Sequence, residues 1–208
     1  MGGFFLTLEG TEGSGKSTLL RWLANRLTAE KHKTTIVREP GGTEVGEQIR
    51  KLLKHGPNSL TAETELLLMN ASRAQLVREI IRPALDANHV VVCDRFHDST
   101  VAYQCHGRGL NADLVQACIS TAIGETFPDL TLLLHIPIEI SEERRIARGK
   151  SDRFESADRA FFQRVATGYR TIAESHADRI VTLDGTLDPD SIAEMAWSIL
   201  SKKIQSDR

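Results

Sequence analysis

Gly10-Thr11-Glu12-Gly13-Ser14-Gly15-Lys16-Ser17 matches the pattern G-x-x-x-x-G-K-[ST] in full. Before it runs Phe4-Phe5-Leu6-Thr7-Leu8, an apolar segment of strand length, and after it Ser17-Thr18-Leu19-Leu20-Arg21-Trp22-Leu23 has a helical period. Strand, glycine loop and helix is the order a phosphate-binding loop requires. The glycines let successive backbone N–H groups converge on phosphate oxygens, Lys16 can reach the β- and γ-phosphates, and the Ser17 hydroxyl can ligate Mg²⁺. The pattern alone is loose enough to arise as a turn with a surface lysine; its placement between strand and helix makes that reading a minor one.

Working outward, a helix is expected from about Lys16 to Glu30, followed by a strand over Thr34-Thr35-Ile36-Val37-Arg38. After Pro40-Gly41-Gly42 breaks the chain, Val45, Ile49, Leu52 and Leu53 recur at helical spacing up to Gly56-Pro57. A long helix is expected from about Thr61 to Ala87, with Glu63 and Glu65 near its positive end and Pro83 able to kink or divide it. Val90-Val91-Val92-Cys93, Leu130 to Leu134 and Ile180-Val181-Thr182-Leu183 read as three further buried strands separated by helical segments. The fold class is therefore α/β, a five-stranded parallel sheet with helices on both faces, expected as a single domain over 1–208. Ligands of such sheets bind outside the carboxyl ends of the strands, which gathers Glu9 to Ser17, Arg38 to Gly42 and Asp94-Arg95 at one edge.

Composition narrows the partners. The formal net charge of −2 gives no overall electrostatic footprint for nucleic acid, so an anionic ligand must be drawn by local arginines. Cys93, Cys105 and Cys118 are an odd set without CxxC spacing, which fits a reduced, cytoplasmic setting. No targeting segment and no apolar run of membrane-spanning length is legible, so a soluble chain is expected. The seven histidines lack metal-ligand spacing and are read as structural or surface groups.

Asp94, at the end of an apolar strand, stands where an acid near Mg²⁺ is expected, although strand-end acids also cap helices. Arg95 adds a donor fork suited to phosphate. The basic run Arg144 to Arg153 is either a solvated face or a lid that lays guanidinium groups on a transferring phosphoryl group and excludes water. Glu65, Met69 and Arg73 share one helix face, and Thr100, Tyr103 and Gln104 share roughly one side of a short segment. The Gln104 amide could read a base edge in either sense, being donor and acceptor. Glu12 is anomalous, since a carboxylate aimed at phosphates would repel them by several kcal/mol in a closed site; it must point elsewhere.

Together these residues resemble the thymidylate kinase family, bacterial type. The resemblance rests on Phe5-Leu6-Thr7-Leu8-Glu9-Gly10, Arg38-Glu39-Pro40-Gly41-Gly42-Thr43, Ser72-Arg73-Ala74-Gln75, Asp94-Arg95-Phe96, Ala102-Tyr103-Gln104, Gly107-Arg108-Gly109 and Pro128-Asp129-Leu130-Thr131. It implies a P-loop nucleoside monophosphate kinase fold with a short lid at about 144–156, Mg²⁺, ATP and dTMP as the bound species, no nucleic-acid or membrane partner, and a homodimer formed through helices beside the sheet. Gly10, Thr11, Glu12, Gly13, Ser14, Gly15, Lys16, Ser17 and Thr18 would bind ATP, with Ser17 and Asp94 placing the metal. Glu12 would meet the deoxyribose 3′-hydroxyl, and Arg95, Arg50 and Arg38 the acceptor phosphate. Arg73, Thr100 and Gln104 would read thymine, with Tyr103 crowding the ribose 2′ position. The family splits over a catalytic arginine in the loop or in the lid. This loop has none, so Arg148 and Arg153, with Lys16 and Arg95, are the expected catalytic cations. Met69 departs from the phenylalanine usually stacked on thymine, and Cys105-His106 from the residues more usual before Gly107. Another nucleoside monophosphate or deoxynucleoside kinase, or a P-loop ATPase switch, remains the rival reading; no Asn-Lys-x-Asp guanine signature is present.

Overall fold

The computed structural model describes residues 2–57, 59–149 and 158–206, without the side chains of Arg148 and Ser206. Five parallel strands, β1 (Phe4–Glu9), β2 (Thr34–Arg38), β3 (Val90–Asp94), β4 (Leu130–His135) and β5 (Ile180–Asp184), lie in the order β2-β3-β1-β4-β5. The helices are α1 (Lys16–Ala29), α2 (Glu44–His55), α3 (Ala62–Leu76), α4 (Arg82–Asp86), α5 (His97–Thr100), α6 (Ala112–Ile123), α7 (Ile138–Arg148), α8 (Arg159–Ser175) and α9 (Pro189–Ser206). Two π-helical segments, Val77–Ile81 and Val101–Gly107, join α3 to α4 and extend α5.

The period of two in β1 explains the layers. Phe4, Leu6 and Leu8 point to one face, where Val90, Val92, Leu130, Leu132 and Leu134 join them under Leu19, Leu23 and Leu27 of α1 and Ala196, Leu200 and Ile204 of α9. Phe5 points the other way with Val37, Val91 and Cys93, under Leu66 and Leu76 of α3 and Val115, Ile119 and Ile123 of α6. On that face Thr7 and Thr131 neutralise each other through a buried hydroxyl hydrogen bond of 2.7 Å. A third cluster packs Leu133 and Ile180 against Phe162, Val165, Tyr169 and Ile172 of α8. β1, central and buried at every residue, is the axis of the sheet.

Local chemistry sets the helix starts. Thr43, Thr61, Asn111 and Asp158 each accept a backbone N–H three residues on, at Gly46, Thr64, Leu114 and Phe161. Two sequence expectations change. Pro83 does not break the helical backbone over 62–86; it stands in the first turn of α4, directly after the π-helical turn Val77–Ile81. The apolar spacing of α2 buries Leu53, on the side packed against α3, but leaves Val45 and Leu52 exposed. Beyond the sheet, Arg179 clamps Asp98 of α5 through two 2.7 Å bonds, and burial holds the neighbouring His97 down at about 4 and therefore neutral. Among the described residues no helix is long and apolar enough to cross a membrane.

Leu23 is wholly buried between the sheet and α9. Leu23→Ala should lower unfolding free energy by about 2–5 kcal/mol, read by urea denaturation, since the rigid sheet cannot collapse into the hole.

Candidate active site

The strand order reverses about β1, and the loops at the carboxyl ends of β1, β2, β3 and β5 enclose a cavity of about 640 Å³. The phosphate-binding loop forms one end. Gly10, Gly13 and Gly15 have φ of 141°, 77° and 99°, and a Cβ on Gly10 would stand 2.4 Å from the Leu134 carbonyl oxygen, so that position admits only glycine. Glu12 through Thr18 line the cavity, whereas Gly10 and Thr11 lie outside its lining. Lys16 is folded onto its own loop, donating to the carbonyls of Gly10 and Thr11 at 2.9 Å and to Ser14 Oγ at 3.2 Å. Burial first, and then the Arg95 charge, lower its pKa to about 8.

Glu9, placed at the ligand edge by the sequence but given no role there, is the hub beneath the cavity. Its buried carboxylate accepts the Phe96 N–H at 2.7 Å, Ser99 Oγ at 2.6 Å and the Tyr169 hydroxyl at 2.9 Å. Burial raises its pKa, with the Asp98 charge adding to the effect. A carboxylate at the end of the strand that feeds the loop was the available signal; its partners, up to 160 positions away, were not readable.

Arg95 adopts a φ of 70°, a left-handed conformation that costs a non-glycine residue about 1–3 kcal/mol. Its N–H donates to Leu8 O and the next N–H, of Phe96, to Glu9, which holds the strained turn in place. The turn aims its guanidinium at Glu12 Oε1 (2.9 Å), the Tyr169 hydroxyl (3.0 Å) and Ser99 Oγ (3.2 Å), over the Tyr103 ring. The Glu12 anomaly is thereby resolved: its carboxylate turns to Arg95 rather than to the phosphate nest.

The far wall carries Met69, Arg73, Thr100, Tyr103 and Gln104, all on the cavity. Buried Arg73 has every guanidinium nitrogen engaged: Nε with Glu39 Oε2 at 2.7 Å, NH1 with Asn70 and Thr100, NH2 with the Phe96 carbonyl and the same Glu39 oxygen. Glu39, likewise placed at the ligand edge by the sequence without a role, keeps a raised pKa of about 7 because burial outweighs Arg73, and its Oε1 has no hydrogen-bond partner among the described residues. Arg38, paired with Glu47, and Arg50, donating to the Pro40 carbonyl, line the rim. Glu65 lies in the first turn of α3 as expected, and there it is buried on Gln104 and Arg108.

Arg144 of the expected lid donates to Gly13 O at 2.9 Å and lies 3.4 Å from Gly185 O, joining the phosphate loop to the segment after β5. Gly185, Leu187 and Ile192 line the cavity there. The Arg148 side chain and Arg153 lie outside the described residues. Among the described residues there is no cluster of three or more His, Cys, Asp or Glu side chains that could hold a metal.

A phosphate loop at the switch point, facing an arginine-lined pocket across one cavity, defines a P-loop nucleoside monophosphate kinase. The family model "Thymidylate kinase" matches residues 8–196, and the chain belongs to the thymidylate kinase family. Thymidylate kinases of Citrifermentans bemidjiense and Deinococcus radiodurans are 43% and 41% identical to it, over 98% and 97% of this chain and 94% and 98% of theirs. That of Pseudomonas fluorescens is 47% identical over 88% of each chain. The crystal structure of thymidylate kinase from Ehrlichia chaffeensis superposes with a TM-score of 0.78 at 29% identity, covering 96% of this chain and 99% of that one.

Because triphosphate favours charged Lys16, affinity for ATP should be level below about pH 8 and fall above it, by up to about tenfold per pH unit. Titration calorimetry in buffers of differing ionisation enthalpy should show proton uptake on binding near pH 8 and above. A level profile up to about pH 10 would contradict the lowered value.

Proposed function

We propose that the chain transfers the γ-phosphoryl group of ATP to dTMP, giving ADP and dTDP, a step in the formation of dTTP. The observation that carries this reading is the single cavity joining the phosphate loop to the wall of Arg73, Thr100 and Gln104. Thymine presents carbonyl acceptors and an imide donor, and that wall offers both kinds of partner. ATP occupies Gly10 to Thr18. The acceptor phosphate lies between Arg95 and the rim arginines Arg38 and Arg50, the deoxyribose 3′-hydroxyl meets Glu12, and Tyr103 crowds the 2′ position. Met69 packs on the base, a thioether contact worth about 0.3–1.5 kcal/mol.

An anionic oxygen of dTMP attacks the γ-phosphorus as the bond to the β–γ bridging oxygen breaks, and the displaced charge leaves on ADP. The attacking oxygen carries no proton, so no general base is required; catalysis is positioning and charge neutralisation. Lys16 exchanges its loop carbonyls for phosphate oxygens, and Arg95, already oriented by Ser99 and Tyr169, offsets the repulsion between the two anions. Asp94 and Ser17 fit a Mg²⁺ site: Asp94 Oδ1 is buried without a hydrogen-bond partner among the described residues, and Ser17 opens onto the same cavity. Bound there, the ion would supply charge neutralisation on the triphosphate. Arg148 and Arg153, in the segment at about 144–156, act as the lid arginines. The chain works as one kinase domain in the cytoplasm and as a homodimer, with exposed Leu67 on α3 within the dimer face. Neither nucleic acid nor membrane takes part.

ADP release measured with dTMP, dUMP, UMP, CMP, GMP, AMP and no acceptor should be greatest with dTMP. Preference for another monophosphate would refute the acceptor assignment, and acceptor-independent hydrolysis would favour a switch ATPase. Arg153→Ala should lower kcat about 10³-fold or more while changing the KM for dTMP little, the pattern of a group acting in the transition state; unchanged kcat would remove Arg153 from catalysis.

A further inference from the structure

The sequence leaves the Gln104 amide free to read a base in either sense, and the structure removes one of them. Gln104 is buried within the π-helical segment, and its Nε2 donates to Glu65 Oε1 at 2.9 Å. Glu65, 1% exposed on α3, also accepts from Arg108 Nε at 3.2 Å and NH2 at 3.1 Å. An ionised carboxylate accepts and never donates, so the nitrogen end of the amide is committed to it. The carbonyl Oε1 of Gln104 makes no hydrogen bond among the described residues, and it is the end left for the cavity.

One helical turn earlier, Thr100 has a fixed polarity too. Its Oγ1 accepts from Arg73 NH1 at 2.9 Å, which leaves the hydroxyl proton to donate. The wall thus presents a donor beside an acceptor, complementary to the O4 and N3–H edge of a uracil-type ring. Cytosine carries the reverse pattern, an amino donor and a ring-nitrogen acceptor, and would set donor against donor and acceptor against acceptor.

Resting on the dTMP reading above, we propose that Glu65 is a positioning residue for pyrimidine selectivity: by holding the Gln104 nitrogen it turns the amide carbonyl to the base and excludes cytosine. It touches no substrate and acts only through Gln104. In Glu65→Gln a carboxamide replaces the carboxylate and can pair with Gln104 in either sense, so the polarity is no longer set. Arg108→Lys keeps both the carboxylate and a compensating charge while losing the forked bond.

The test compares kcat/KM for dTMP and dCMP in the parent, E65Q and R108K enzymes, each checked by thermal melting. The dTMP-to-dCMP ratio should fall about ten- to hundredfold in E65Q, chiefly through KM, as for one misplaced buried hydrogen bond. It should hold at the parent value in R108K. Folded E65Q with the parent ratio, or an equal fall in both variants, overturns the proposal and leaves Glu65 as part of an ion pair. A parent enzyme that prefers dCMP overturns both this proposal and the function on which it rests; a parent that prefers dTMP with E65Q unchanged overturns this one alone. An independent reading uses the parent protein labelled with ¹⁵N. The Gln104 side-chain amide protons should exchange with solvent far more slowly than those of exposed glutamines, and fast exchange would overturn the proposal without any variant.

Discussion

One buried carboxylate holds the working edge of this molecule together. Glu9 ends the central strand, where burial raises its pKa, yet it accepts hydrogen bonds from Phe96, Ser99 and Tyr169. A buried acid is tolerable only when such donors surround it. Those donors come from the turn after β3, from α5 and from α8, so satisfying a single side chain fixes three elements against the loop that Glu9 feeds. The same constraint aims Arg95, whose left-handed backbone is clamped on one side by Leu8 and on the other by the Phe96–Glu9 bond.

The cations of the cavity share a second feature: each is already occupied. Lys16 sits on loop carbonyls, Arg95 on Glu12, Arg73 on Glu39, and Arg38 on Glu47. Guanidinium and ammonium groups converging on one cavity would otherwise repel one another. Carboxylates and carbonyls hold them in orientation. Arg73 differs from the others because it is almost wholly buried and has all its nitrogens engaged, which makes it a fixed wall rather than a mobile clamp. The exposed rim arginine Arg38 has a pair that solvent screens and that is easily exchanged.

Two π-helical segments interrupt the α-helical register. Val77–Ile81 carries the helix up to Pro83 without a break, and Val101–Gly107 places Tyr103 and Gln104 on the cavity while packing closely against α8. Gly107 and Gly168 permit that packing, since a Cβ on either would fall 2.7–2.8 Å from Phe161 or His106. Neither widening has a signature in apolar periodicity, because five and seven residues are too few for a period to be resolved.

Much of this was legible in the residues alone. The five strands, their parallel arrangement and the edge at which ligands gather follow from apolar runs joined by helical spacings; the runs are strongest in β1, β3 and β4, whose faces are both covered, while the edge strands β2 and β5 are only partly buried. The loop from Gly10 to Ser17 and the strings around Arg38, Arg73 and Asp94 identified the chemistry, because backbone convergence on phosphate leaves few choices of residue. Tertiary structure decided what each polar group faces. That Glu12 turns to Arg95, that Tyr169 meets Glu9, and that Glu65 is buried on Gln104 and Arg108 depend on contacts between segments 39 to 160 residues apart. Periodicity reports which side of an element is apolar. Only the packed arrangement determines which donor a buried acceptor must find, because the cost of leaving it unpaired is borne by the fold as a whole.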